Sequence, residues 1–153
     1  MRDFLQEFIR VNRLAAQIFA CDKEVHTAAQ AAAKSGGDPE GVAKTILLMS
    51  SQGEPILVIL LGKDMIDFSK IKALVRASDV RLAEPAEVIE ITGFEVGGVP
   101  PVSIYGIRTF IDKAVLAKEE VVCGGGDPEH LMRIKVDEIM DNVEGIEVAD
   151  TKK

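Results

Sequence analysis

A lysine inside an apolar strand is the first residue whose position suggests chemistry. Residues 41–50 read GVAKTILLMS and, after a short turn, residues 55–62 read PILVILLG, a pattern typical of the two arms of an apolar hairpin. Strand alternation places Lys44 on one face together with aliphatic side chains. Two interpretations are open at this point. The lysine either protects a sheet edge with its ammonium group in water, or it belongs to a functional site.

Two loops rich in glycine and proline could supply the rest of such a site. They are GGVPP at 97–101 and GGGDPEH at 124–130, and each follows a run of apolar and β-prone residues. Glycine lets a ligand approach main-chain amides closely, and proline holds a loop in one shape. A lysine combined with backbone N–H groups can hold a developing oxyanion or a phosphate group without a metal ion.

The elements that must position these residues are hairpin-like strand pairs interspersed with short helices. Their order lacks the regular strand–helix–strand repeat of a doubly wound nucleotide-binding fold. It predicts an α/β domain with a mixed sheet and short flanking helices, preceded by a helical extension at 2–13 and followed by a frayed tail at 142–153. Strands are predicted at 16–21, 42–50, 55–61, 80–83, 108–112, 119–124 and 131–136, and helices at 26–37, 69–77, 84–93, 112–118 and 136–143.

Length and charge limit the class of protein. A chain of 153 residues, 47% apolar and 28% charged, predicts one globular domain spanning 1–153. The net charge of −7 is uneven, with 11 basic and 10 acidic residues up to Ala83 but 7 basic and 15 acidic residues after it. This balance gives no sign of the large basic face with which a protein coats nucleic-acid duplexes, although it does not forbid contact with RNA.

Cysteine usage and the first residues bear on the compartment. Cys21 and Cys123 are too far apart for a zinc ribbon or a secreted disulfide framework and suit a reducing compartment. The opening MRDFLQEFIRVNRL carries charges at helical spacing, unlike a signal peptide, and the longest apolar run is shorter than the roughly 20 residues of a membrane helix. We therefore expect a cytoplasmic protein without membrane contact.

Absent motifs narrow the chemistry further. The chain has no P-loop sequence, and GGGDPEH carries Glu129 where the dinucleotide-binding fingerprint requires its third glycine. With His26 and His130 as its two histidines, we expect no His-based metal site and no cofactor.

Five segments follow one another along the chain: HTAAQAAAKSGG, VAKTILLM, EPILVILLGKDMIDFSKIK, ITGFEVGGVPP and VVCGGGDPEHLMRI. Their most specific parts are the K-T strand, the T-G-x-x-x-G-G-V-x-P loop and the G-x-G-x-P-x-H loop. In this order the set resembles the YbaK/prolyl-tRNA synthetase-associated editing-domain family of aminoacyl-tRNA deacylases. The resemblance extends from Ala15 to Met140.

The resemblance implies hydrolysis of the ester that joins a wrong amino acid to the 3′ end of a tRNA. It implies a trans-acting enzyme without a metal ion or a protein nucleophile, in which Lys44 is the essential residue and the attack comes from water or is assisted by a substrate group. Aminoacyl-tRNA is the implied partner, and an aminoacyl-tRNA synthetase is a candidate partner. Substrate contacts implied by position are Thr45, Gly97, Gly98, Val99, Pro100, Gly124, Gly126 and His130.

Three points stay open in this interpretation. Alternation points Thr45 away from Lys44, so a direct role requires a bulge or an exposed second face. The loop reads VPPVS where many relatives carry a bulkier residue near the proline. This difference keeps an alternative function open: a non-catalytic module that binds a tRNA 3′ end or a nucleotide and recruits a partner protein. The helix at 2–13 lies outside the common core and could cover an edge or mediate a homodimer.

Overall fold

A hairpin of two long apolar strands forms the centre of the larger sheet. The computed structural model describes residues 2–21 and 39–153. Strand β2 (Ala43–Ser50) pairs antiparallel with β3 (Pro55–Leu61), with Lys44 opposite Leu60, so the predicted hairpin is confirmed. The reversal between the strands contains Gly53 at φ 79°, a backbone conformation that glycine adopts without steric cost.

Five strands make up this sheet, in the order β4-β2-β3-β5-β8. The pairs β2–β4 and β2–β3 are antiparallel, whereas β3–β5 and β5–β8 are parallel, so the sheet is mixed as predicted. The other three strands of this sheet are β4 (Val80–Leu82), β5 (Arg108–Asp112) and β8 (Glu147–Ala149).

A second sheet of three antiparallel strands has the order β1-β7-β6. It consists of β1 (Gln17–Ala20), β6 (Glu120–Gly124) and β7 (His130–Lys135). A parallel bridge between Val42 and Val122 joins the two sheets just before β2 begins.

Short helices flank the sheets. In the described part of the chain they are α1 (Arg2–Val11), α2 (Phe68–Val75), α3 (Pro85–Thr92) and α4 (Val136–Asn142), with 3₁₀ turns at Pro39–Gly41 and Val115–Ala117. Helix α3 begins with a proline at its first turn and ends at Gly93 (φ 82°), as its sequence predicts. The helix predicted at 26–37 lies outside the described residues. No helix in 2–21 or 39–153 has the length and apolar character needed to cross a membrane.

Both faces of the larger sheet are covered, which explains the continuous apolar runs of β2 and β3. Ala43, Leu47 and Ile59 belong to a core shared with the second sheet. That core also contains Leu5 and Phe8 of α1, so the helical extension packs against the domain. The opposite face, with Leu48, Val58 and Leu60, packs with Ile71 of α2.

The prediction of a frayed tail at 142–153 is wrong. Residues 147–149 form β8, and Thr151 is fully buried. The Thr151 N–H and hydroxyl donate to Asp112 Oδ2 at 2.8 and 2.7 Å. A strand of three residues held by parallel pairing and one polar anchor has no periodic apolar pattern, which is why the sequence did not reveal it.

Candidate functional site

The ammonium group of Lys44 is held by backbone oxygens and does not extend into open water. Its Nζ donates to the carbonyl oxygen of Asp64 at 2.6 Å and to that of Gly62 at 3.2 Å, and the side chain is half-buried. Both acceptors lie in the loop that follows β3, the strand paired with Lys44. An ammonium group carries three donors, so among the contacts of residues 2–21 and 39–153 one N–H remains for a ligand.

Burial and a neighbouring carboxylate act on Lys44 in opposite directions. Desolvation lowers the pKa of its amine below the ordinary value, and the charge of Asp64 raises it in part. The two carbonyl contacts and the Asp64 charge favour the ammonium form of Lys44 in this partly dehydrated position. In such a position a hydrogen bond to a ligand oxygen is stronger than in water.

Lys44 lines a cavity of about 400 Å³ at the edge of β2. Strand β4 pairs with residues 48–50 of β2 only, and the last contact along this edge is the Ala83 N–H donating to Leu47 O at 3.0 Å. The cavity occupies the space beyond that point. Residues 44–47 of β2 line one side, and the other sides come from Leu82, Ala83, Pro85 and Val88 and from the loop residues Val96, Gly97 and Val99. Among these lining residues, Lys44 is the one with a titratable side chain.

Thr45 lines the same cavity although it points to the opposite face of the strand. Because the cavity lies at an open edge, side chains from both faces reach it, and no bulge is needed. Thr45 Oγ1 is buried and has no hydrogen-bond partner among the described residues. A buried hydroxyl without a partner is costly, so a polar ligand group at this position would satisfy it.

The two Gly-Pro loops are pressed against each other. A Cβ atom on Gly98 would lie 2.4 Å from Asp127 Cα, and one on Gly124 would lie 2.3 Å from Val99 O. The Gly126 N–H donates to Gly98 O at 2.9 Å. The glycines at 98 and 124 therefore allow close approach between two backbones, and the second loop supports the first.

The structure separates the predicted site residues into two groups. Lys44, Thr45, Gly97 and Val99 meet at the cavity. Buried Pro100 follows in the same loop but is outside the described lining.

Gly98, Gly124, Gly126 and His130 lie behind the cavity, in or against the 124–130 loop. His130 Nδ1 is 2.7 Å from Asp127 Oδ1, so its ring fixes the shape of that loop.

Several residues at the site were not foreseen. The carbonyl groups of Gly62 and Asp64 are backbone acceptors, which leave no signature in the sequence. The apolar residues Leu82, Pro85 and Val88 were predicted as parts of a strand and a helix, and only the end of β4 brings them to the cavity.

Other reactive groups and cavities are less suited to chemistry. Burial raises the pKa of the Cys123 thiol far above its usual value, which keeps it protonated. A second cavity of about 450 Å³ lies between α1 and residues 92–105, and its carboxylate Glu7 is already paired with Arg10. Within the described ranges, no group of three or more His, Cys, Asp or Glu side chains could hold a metal ion.

The chain belongs to the aminoacyl-tRNA editing domain family. The family matches residues 22–141, most of the sequence. This confirms the resemblance drawn from the ordered segments, and the mixed α/β fold agrees with it.

Similar proteins include domains of larger enzymes. The proline–tRNA ligase of Bacillus licheniformis is 32% identical over 128 residues, which cover 79% of this chain and 22% of the ligase. That of Halalkalibacterium halodurans is 36% identical over 81 residues, 53% of this chain and 14% of the ligase. The chain therefore spans less than a quarter of these relatives.

Solved structures match the fold over nearly the whole chain. A hypothetical protein of known crystal structure is 30% identical with a TM-score of 0.88, covering 98% of this chain and 99% of the other. A candidate trans-editing enzyme for prolyl-tRNA synthetase is 29% identical with a TM-score of 0.86, covering 99% and 96%.

Proposed function

We propose that the protein is a trans-acting aminoacyl-tRNA deacylase that hydrolyses the ester of a mischarged tRNA. The observation that carries the proposal is the Lys44 ammonium group, held by two backbone carbonyls at the edge of a mostly apolar cavity. Membership in the editing-domain family supplies the substrate class.

Lys44 acts on the ester carbonyl. Water adds to the carbonyl carbon, the carbonyl oxygen becomes negatively charged, and the free N–H of Lys44 Nζ donates to that oxygen. The bond from carbon to the ribose oxygen then breaks, the proton lost by the attacking water passes to that oxygen to form the ribose hydroxyl, and the amino acid leaves with a carboxyl group. Because an aminoacyl ester is already labile, orientation and oxyanion stabilisation suffice without a protein nucleophile.

The cavity selects a small amino acid. Its volume of about 400 Å³ must hold the aminoacyl group and part of the terminal adenosine. Val88, Val96 and Val99 give it apolar sides, and Thr45 Oγ1 offers one polar contact. An apolar pocket distinguishes one methylene by about 1–3 kcal/mol. We therefore expect the protein to hydrolyse a few of the alanine, cysteine, serine, threonine and proline esters and to discriminate only weakly among those.

The substrate is the 3′ end of an aminoacyl-tRNA, with few contacts to the tRNA body because the chain is acidic. An aminoacyl-tRNA synthetase remains a candidate partner for delivery, and a homodimer through α1 remains a candidate assembly.

The decisive experiment measures hydrolysis of tRNAs charged with each of those five amino acids. Lys44→Met removes the ammonium group but keeps the apolar stem, and Lys63→Ala removes an exposed charge from the same loop region without changing the cavity. We expect rapid turnover of at least one ester, a loss of about 10²–10³-fold in kcat for Lys44→Met, and near-normal rates for Lys63→Ala. If every ester survives, the deacylase proposal is wrong and the non-catalytic binding module becomes the better explanation. If an ester is hydrolysed but Lys44→Met is as fast as wild type, the role assigned to Lys44 is wrong.

A further inference from the structure

The loop that holds Lys44 is itself held by a distant segment. Residues 62–67 supply both carbonyl acceptors, and residues 150–153 run beside them. Two backbone hydrogen bonds join the two segments, from Asp67 N–H to Thr151 O at 2.9 Å and from Lys153 N–H to Met65 O at 3.0 Å, and together they form the antiparallel bridge between Ile66 and Lys152. A shift of 150–153 is therefore transmitted to the carbonyl groups that orient Lys44.

Asp64 connects the two segments through its own atoms. Its backbone oxygen accepts the shorter hydrogen bond from Lys44, at 2.6 Å. Its carboxylate Oδ2 is buried, makes no hydrogen bond to any residue that the structure describes, and lies 3.5 Å from Lys152 Nζ as an ion pair. The Asp64 side chain is 15% exposed, so water screens this pair only in part.

We propose that Asp64 and Lys152 form a positioning pair that holds the Lys44 ammonium group toward the cavity. The inference rests on the proposed function, since it assigns a role in presenting the group that acts on the ester. The pair touches no substrate and acts through Lys44 alone.

Asp64 also sets the electrostatic environment of Lys44, and Lys152 acts on it through the charge of Asp64. The Asp64 charge raises the pKa of Lys44 against the effect of burial. Lys152 partly neutralises that charge and is itself positive. Removing the Asp64 charge must therefore lower the pKa of Lys44, and removing the Lys152 charge must raise it.

Within residues 2–21 and 39–153, few other charges face Lys44. Of the described residues that line the cavity, those from β4, α3 and the 96–99 loop carry no titratable group. Beside the 62–64 loop, Lys63 pairs with Glu40 at 2.8 Å. Lys70 donates to Asp150 at 2.8 Å and to Lys152 O at 2.6 Å, so it anchors the same segment without meeting Asp64.

The test titrates Lys44 directly by NMR in protein labelled with ¹³C at the lysine ε-carbon. Asp64→Asn and Lys152→Gln keep side-chain size, Lys152→Arg restores the charge, and Lys70→Gln is the control for loosening the segment. We expect the Lys44 pKa to fall in Asp64→Asn, to rise in Lys152→Gln, and to stay at the wild-type value in Lys152→Arg and Lys70→Gln. Thermal unfolding confirms that each variant is folded.

Shifts in the same direction for Asp64→Asn and Lys152→Gln, or no shift in either, would overturn the inference. This readout needs no substrate, so it stands apart from any failure of the deacylase proposal. With an active ester, we expect Lys152→Gln to lower kcat by roughly 10-fold to 100-fold with little change in KM, because a misplacement of about 1 Å costs around 10²-fold. Recovery of kcat in Lys152→Arg is expected. A KM effect alone would argue against positioning.

Discussion

Gly98→Ala should both destabilise the protein and disturb the cavity. The three atoms nearest to an added Cβ are backbone atoms of Asp127, at 2.4, 2.5 and 2.7 Å. Carbon atoms prefer separations of about 3.5–4.0 Å, so the two loops must move apart by roughly 1 Å. Backbone atoms cannot rotate away as a flexible side chain can, and the movement must carry neighbouring residues with it.

The magnitude follows from two effects. Overpacking of a closely packed site costs about 1–3 kcal/mol. The hydrogen bond from the Gly126 N–H to Gly98 O, 2.9 Å long, is lost when the loops separate, at about 0.5–1.5 kcal/mol. Together they predict a decrease of about 2–4 kcal/mol in the free energy of unfolding. Since Gly97 and Val99 line the cavity, deacylation should fall as well.

Urea unfolding followed by circular dichroism measures the first effect, with Gly41→Ala as a matched control. A Cβ on Gly41 meets no atom within 4 Å, so this variant should stay within about 0.5 kcal/mol of wild type. If Gly98→Ala and Gly41→Ala unfold at the same urea concentration, the backbone of Asp127 does not lie in close contact with Gly98.

Two further predictions concern the hydroxyl of Thr45 and the carboxylate of Glu87. Thr45→Val removes a buried hydroxyl that has no hydrogen-bond partner in the described part of the chain, so the unfolding free energy should not fall while kcat/KM falls by up to about tenfold. Equal activity would exclude a substrate contact. Glu87 accepts hydrogen bonds from Arg81 and from the Glu84 N–H, which lower its pKa from 4.5 to about 2. Its carboxylate therefore stabilises α3 above pH 4.5 and loses that contribution as the pH falls through about 2. The melting temperature of Glu87→Gln should lie below that of wild type at neutral pH and converge with it in acid. The control Glu90→Gln, on the same helix, should have the melting temperature of wild type throughout.

Local patterns in the sequence predict much of this fold. The apolar runs at 42–50 and 55–61 predict the hairpin, and Pro85 and Gly93 predict the limits of α3. These features depend on residues close in sequence. The strand at 147–149 depends on parallel pairing with β5 and on the contact of Thr151 with Asp112, 39 residues away, and such long-range contacts leave no local pattern.

The site was predictable only in part, for the same reason. Lys44 was conspicuous because a charge interrupts an apolar strand. Its partners Gly62 and Asp64 act through backbone oxygens, which every residue possesses. The glycines at 98 and 124 were predicted to admit a ligand, but in the structure they admit the opposite loop.

The open edge beside Thr45 has a cause in the sequence. The register of β2 with β4 places Leu48 opposite Leu82, and its continuation would place residue 85 opposite Thr45. Ala83 still donates its N–H to Leu47 O, but Pro85 has no N–H and cannot make the next bond of the ladder. The chain turns into α3 at this proline, which leaves the peptide groups of Thr45 without a β4 partner at the edge beside the cavity. One proline thus ends a strand, begins a helix and exposes the edge of β2 at the residue next to Lys44.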